Sequence, residues 1–321
     1  MTSSGANWDN RMSRRLKLRD LYVLSTVVQQ GSMAKGAAHL GMSQPAVSEA
    51  IATLEAALCV RLLDRSPRGI EPTIYAHALL KRGHVIFDEL RLGLQDIDFL
   101  SNQTVGAIRI GSPESLATGF VPAVIERLVS QHPQVTVDVV NAQTSENEFK
   151  ELHERSVDLM LGRLLKPLAQ DDIEAEPLFQ DGFSIVVGTR SPWAERKNIE
   201  LTELMNEPWV YFPSGSVAGA HVAEAFLARG LEPPKSSVSS FSIHLRMQLL
   251  ASGRFISILH KSVVHYNAER WSLKELPVDL GVAPAPVAIF RLKNRTLSPV
   301  VQLFVEQARA VSETLALYRH D

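Results

Sequence analysis

The stretch Gln30-Gly31-Ser32-Met33-Ala34-Lys35-Gly36-Ala37-Ala38-His39-Leu40-Gly41-Met42-Ser43-Gln44-Pro45-Ala46-Val47-Ser48 reads as a short helix and the start of a second one, set apart by tight turns. Gly31 and Gly41 supply the stops, because glycine accepts the left-handed conformation that closes a helix. Ser32 and Ser43 suit the N-caps, whose side-chain oxygens accept from amides two or three residues on. Pro45 falls in the first turn of the second helix, where its missing amide hydrogen leaves no bond unmade. Val47, Ile51, Leu54 and Leu58 then recur at four, three and four, and so line one face. The other face, with Gln44, Ala46, Ser48, Glu49 and Thr53, is small or polar. Upstream, Leu18, Leu21, Tyr22, Leu24, Val27 and Val28 mark a further amphipathic helix.

Two short helices abutting through a glycine turn fit a helix-turn-helix, in which the second helix enters the major groove of DNA. An ordinary helical hairpin is the alternative that the pattern leaves open. On the first reading, Ser43, Ala46 and Ser48 are small enough for close approach to bases. Gln44 can bond adenine in a bidentate way, and the exposed helix-start amides suit a phosphate. Downstream, Asp64-Arg65-Ser66-Pro67-Arg68-Gly69 demands a turn and makes it a basic wing. From about 73 to 101 there is no proline, and Leu79, Ile86, Leu90, Leu94 and Ile97 form an apolar stripe. A helix of that length with one apolar edge is expected to pair with a second copy, the other reading being a core helix of the next domain. Gly83 and Gly93 interrupt a strict coiled coil.

Beyond Gly106, apolar runs at 107–111, 135–140, 157–162, 183–187, 209–212, 255–259 and 287–292 alternate with helical stretches. The helices are expected at 120–131, 146–155, 217–229, 242–251 and 298–317. Such alternation predicts an α/β unit with a largely parallel sheet.

A chain of 321 residues with 45% hydrophobic and 21% charged content has the profile of a globular protein of two or more domains. Its net charge of −2 looks unpromising for a nucleic-acid partner, but the charge is unevenly spread. Residues 1–104 hold 12 Lys and Arg against 10 Asp and Glu, and the remainder holds 21 against 25. The single cysteine, Cys59, excludes an internal disulfide and any all-Cys zinc site. With no leader pattern and no apolar run of about 18 residues, the expected location is the cytoplasm, with no membrane partner. The motifs G-x-S-x-G, G-x-x-x-x-G-K, G-x-G-x-x-G and H-E-x-x-H do not occur, and the ten histidines are scattered. Neither an enzyme nor a metal or cofactor site is expected.

The segments Leu18-Arg19-Asp20-Leu21, Gln30 to Lys35, Ala37-Ala38-His39-Leu40, Met42 to Ser48, Ile51-Ala52-Thr53-Leu54-Glu55 and Leu62-Leu63-Asp64-Arg65 closely resemble, in order, the amino-terminal signature of LysR-type transcriptional regulators. Residues 61–73 further resemble the subgroup of galactose-binding-protein regulators. The resemblance implies an α+β multi-domain chain. It would comprise an N-terminal extension (1–16), a winged helix-turn-helix (17–75), a linker dimerisation helix (76–104) and a two-lobed α/β effector domain like a periplasmic binding protein (105–321). Lobe I would comprise 105–163 and 265–321, and lobe II 164–264. Promoter DNA, a small-molecule effector, RNA polymerase and further copies in a homodimer or homotetramer are the implied partners. A solute-binding protein for uptake is the rival reading, opposed by the residues ahead of the two lobes.

By the same resemblance, DNA contacts fall on Gln44, Pro45, Ser48 and Glu49 and on Arg65 and Arg68 near the wing, with Ser32 and Ser43 as capping phosphate contacts. Two residues depart from the family pattern. Glu49 stands where a basic or neutral polar residue is usual, and Cys59 replaces a glycine and is expected to be a small buried residue. Ligands of open α/β sheets bind beyond the carboxyl ends of strands, where loops meet helix starts. That rule selects Ser112, Ser115, Thr144, Ser214, Ser216 and Ser242, with Arg163 at the crossing between lobes as a carboxylate partner or a hinge clamp. Hydroxyls and helix-start amides favour an anionic or sugar-like effector. Any one of these serines can equally be a plain helix cap.

Overall fold

The computed structural model describes residues 16–66, 69–101, 105–143 and 149–317. The chain divides into two compact units, Met1–Gly93 and Leu94–Asp321.

In the first unit, helices α1 (Leu18–Gln30), α2 (Met33–Leu40) and α3 (Gln44–Leu58) follow one another closely. Gly31 and Gly41 end the first two at φ 65° and 62°, a conformation that costs a Cβ-bearing residue roughly 1–2 kcal/mol. The apolar face of α3 is the core: Val47, Ile51 and Leu54 are fully buried against Leu24, Val27 and Leu62. The Glu55 carboxylate accepts from the amides of Leu62 (2.7 Å) and Leu63 (3.3 Å), which fixes the exit from α3. There the chain enters an antiparallel pair, β1 (Leu63–Ser66) and β2 (Gly69–Pro72), the expected wing. The long helix α4 (Ile74–Ser101) follows, started by Thr73, whose hydroxyl donates to the Arg61 carbonyl and accepts from the Ala76 amide. Gly83 lets Leu21 of α1 press directly onto α4.

Cys59 corrects an expectation. It is exposed rather than buried, and it holds the left-handed C-cap of α3 at φ 57°. The position requires that conformation whatever residue fills it, so the departure from glycine is a backbone matter rather than a packing one.

The second unit holds two five-stranded sheets. The first orders β4 (Gln134–Asn141), β3 (Val105–Ser112), β5 (Leu159–Arg163), β12 (Ala285–Leu292) and β6 (Ile173–Asp181). The second orders β11 (Leu273–Glu275), β7 (Phe183–Gly188), β10 (Ile256–His260), β8 (Trp209–Tyr211) and β9 (Ser236–Ser239). Both are mixed rather than largely parallel. β3 runs parallel to β4 and β5, but β12 is antiparallel to β5 and β6. β10 is parallel to β8 and antiparallel to β7, which also pairs antiparallel with β11.

Helices α5 (Glu114–Ala117), α6 (Phe120–Gln131), α7 (Lys150–His153) and α11 (Pro299–Leu317) belong with the first sheet in sequence, and α8 (Val217–Leu227) and α9 (Ile243–Ala251) with the second. α10 (Lys261–Asn267) follows β10 directly. The helix expected at 146–155 is described only as the single turn of α7. Each sheet has its own core, around Ile108, Leu161, Ile289 and Phe304 in one and Ile185, Trp209, Phe226 and Ile258 in the other.

The strand order moves the lobe crossings. β6 pairs with β12 in the first sheet, so the chain leaves lobe I after Asp181 rather than near Arg163. It returns after Glu275 of β11 rather than near His260.

Candidate functional site

The exposed side of α3 begins at Ser43, whose hydroxyl accepts from the Ala46 amide at 3.4 Å. Gln44, Pro45 and Glu49 are exposed, and Ala46 and Ser48 are half-buried beside them. Six of the residues expected to meet DNA therefore share the start and open side of one helix. Ser32 also sits at an N-cap position, but its side chain makes no capping bond, contrary to expectation. Arg65 lies in β1 opposite Ile70, and Arg68 falls outside the described residues. On α4, Ile86, Leu90, Leu94 and Ile97 are 43–60% exposed, an apolar stripe of the kind that marks an interaction surface. Leu79 differs from them: it packs against the first unit's own core.

In the second unit a cavity of about 100 Å³ opens between the two sheets' loop ends, lined among others by Ser115, Arg163, Glu114, Arg246, His260 and Phe212. Arg163, at the end of β5, is buried and donates to Asp181 from Nε at 3.1 Å and Nη2 at 2.6 Å. Its Nη1 donates to the Ser115 hydroxyl at 2.8 Å. Asp181, at the end of β6, also accepts from the Ser262 amide (3.0 Å) and hydroxyl (2.6 Å) at the start of α10. Burial alone would raise the Asp181 carboxyl, yet Arg163, His260 and the hydrogen bonds of Ser262 and Arg163 hold it below the ordinary value. Burial, joined by Arg163, pushes His260 well below 6.5, so the ring is neutral. Asp181 thus ends a strand of one sheet beside the crossing to the other, and Arg163 ties it to the cavity wall.

On the other side of the cavity, burial lowers Arg246 to about 10. Its guanidinium donates to the carbonyls of Ser240 (3.0 Å) and Ile258 (3.2 Å) and stacks 4.3 Å over Phe212. Its Nη2 is buried with no hydrogen-bond partner among the described residues. Glu114, which opens α5, crosses to the start of α9, where its carboxylate accepts from the Ile243 amide at 2.9 Å and the His244 amide at 3.4 Å.

Among the six described residues expected to hold a ligand, Ser115 and Arg163 line this cavity. Ser112 is buried, and its hydroxyl donates to the Pro113 carbonyl. Ser214 is exposed in a separate depression beside Pro213 and Pro234, and Ser216 caps α8 through the Gly219 amide at 3.1 Å. Ser242 caps α9 and lies 3.5 Å from Glu114. Thr144 lies outside the described residues. Of these serines, Ser216 and Ser242 spend an acceptor lone pair on a helix cap, the alternative that loop position alone left open. Arg246, Glu114 and His260 were missed. Arg246 did carry a signal, since it falls on the buried face of α9 with Ile243, Met247 and Leu250, where an arginine needs a polar reason to stay.

Comparison with known proteins matches residues 18–77 to the family described as "Bacterial regulatory helix-turn-helix protein, lysR family" and residues 101–313 to "LysR substrate binding domain". The transcriptional regulator GbpR of Azospirillum brasilense is 26% identical over 96% of this chain and 90% of its own length. GalR of Pseudomonas putida is 27% identical over 91% of this chain and 73% of its own. Full-length CbnR complexed with its target DNA shares the fold, with a TM-score of 0.65 at 22% identity over 92% of this chain and all of that one.

Proposed function

Because the chain belongs to the LysR family of DNA-binding transcriptional regulators, we propose that residues 17–75 read promoter DNA through Ser43, Gln44, Pro45, Ala46, Ser48 and Glu49, while the cavity of the second unit takes the small-molecule effector. Solute uptake is not favoured, since the helix-turn-helix match covers residues 18–77. Arg65 and Arg68 meet phosphates from the wing. Residues 76–104 serve as the linker, and Ile86, Leu90, Leu94 and Ile97 of α4 pair it with a second copy in a homodimer or homotetramer. The protein acts by binding, in the cytoplasm, and answers to RNA polymerase at the promoter. Membership of the galactose-binding-protein-regulator subgroup is supported by the 26% identity to GbpR.

The observation that carries the sensor reading is the Ser115–Arg163–Asp181 chain of hydrogen bonds, which connects the cavity wall to the crossing between lobes. A ligand that meets Ser115 would act on Arg163 and through it on Asp181. The test is an electrophoretic shift of the DNA upstream of the chain's own gene, repeated with a panel of small metabolites. At least one compound should change the specific complex in wild type and not in Ser115→Tyr. Compounds acting equally on both proteins would reject the cavity as the effector site.

A further inference from the structure

Helix α9 starts with free amides and the positive end of its dipole turned to the cavity, which is an anion site in the making. In most proteins water would meet such amides. Here the Glu114 carboxylate occupies them, 2.9 Å from the Ile243 amide, having come from the start of α5, just after β3 of the other sheet. A second observation falls on the same spot. Arg246 is 1% exposed, lines the cavity, and keeps Nη2 without a partner among the described residues. A buried guanidinium nitrogen left unbonded costs about 1–3 kcal/mol or more, so it marks a place where an acceptor belongs. Glu114 attracts Arg246 across the cavity but takes its hydrogen bonds from α9 instead.

The space that remains is about 100 Å³, well below the roughly 300 Å³ at which ordinary ligand pockets begin. The side chain of Glu114 is part of what fills it. Phe212, Phe241 and Leu259 give the wall an apolar stretch beside its polar groups.

We propose that Glu114 is a built-in occupant of the cavity's anion site, and that the effector is a small organic carboxylate with a compact apolar body that displaces it. The incoming carboxylate takes the α9 amides and supplies the acceptor Arg246 lacks, while its apolar body rests on Phe212 and Phe241. Glu114 is released from α9, and with it the direct bond between the start of α5 and lobe II. Residue Ser115 is its neighbour in the chain, so release also reaches Arg163. This inference rests on the cavity being the effector site.

The experiment measures calorimetric binding of isobutyrate and phenylacetate to the full chain, with isobutyramide, phenylacetamide and galactose as neutral probes. Glu114→Gln keeps the side chain's size and removes its charge. It should bind the carboxylates at least about tenfold more tightly than wild type and leave the amides unchanged, and Glu114→Ala, read alongside thermal melting, should do the same. An equal gain for the amides, no gain for the carboxylates, or preferential binding of galactose would overturn the proposal. If no carboxylate binds while another metabolite still alters the DNA complex, the Glu114 proposal falls and the effector reading stands. If no small molecule alters the DNA complex, the effector reading falls first.

Discussion

Helices α3 and α9 start alike. Each opens on a serine whose hydroxyl accepts from the amide three residues on at 3.4 Å, Ser43 from Ala46 and Ser242 from Leu245. They differ in what reaches the remaining amides. The first turn of α3 presents exposed Gln44 and Pro45, whereas that of α9 holds a carboxylate from 129 residues away. The same local chemistry holds an internal anion in the second unit, and on the proposed reading is left open to an external one in the first. The surroundings differ to match. The core of α3 is apolar, while the cavity near α9 is built on buried charge and a neutral imidazole, with Arg163, Asp181, Arg246 and His260 all at most 8% exposed.

That contrast predicts that the two units answer differently to substitution. The largest effect is expected for Arg163→Met, which strands the buried Asp181 carboxylate and should destabilise the second unit by about 3–5 kcal/mol. Denaturant melts should show the loss there and leave the helix-turn-helix unit unchanged; equal melting of both units would break the contrast. Next comes His260. Its folded pKa is depressed, so below about 6.5 the unfolded chain binds a proton that the folded chain refuses, and stability falls as pH drops, by up to about 1.4 kcal/mol per unit. Asp181, also depressed, adds a loss only below about pH 4, outside this window. Wild type should therefore lose more stability than His260→Gln between pH 6.5 and 5, and parallel curves would refute the buried neutral ring.

Smaller effects belong to the first unit. Ser43→Ala should cost about 1 kcal/mol through the lost cap, measured by thermal melting, and a neutral outcome would deny the cap its role. Cys59→Gly should stabilise by a few tenths to about 1 kcal/mol, because glycine removes the Cβ strain at φ 57° but adds freedom to the unfolded chain. A loss of stability there would mean that the thiol, whose Sγ lies 3.6 Å from the Ala56 carbonyl, contributes more than the strain it brings.

Legibility follows the same division. Stops at Gly31 and Gly41, the cap at Ser43 and the apolar face of α3 are decided within a turn or two of chain, so the sequence displays them. β6, with Pro177 inside it, and the three-residue β11 are strands because β12 and β7 lie alongside, and nothing local announces that. The lobe crossings moved for this reason. Ser115 and Arg163 could be found because each follows or ends an apolar run. Glu114 could not, since its partner amides belong to a distant helix.

The central claim is that α3 reads bases. Its most direct test is the affinity of Gln44→Ala for the upstream DNA and for a random duplex of equal length, at one fixed salt concentration. A loss of about 1–3 kcal/mol on the upstream site is expected, with random binding unchanged. Equal losses on both duplexes, or none on either, would contradict it.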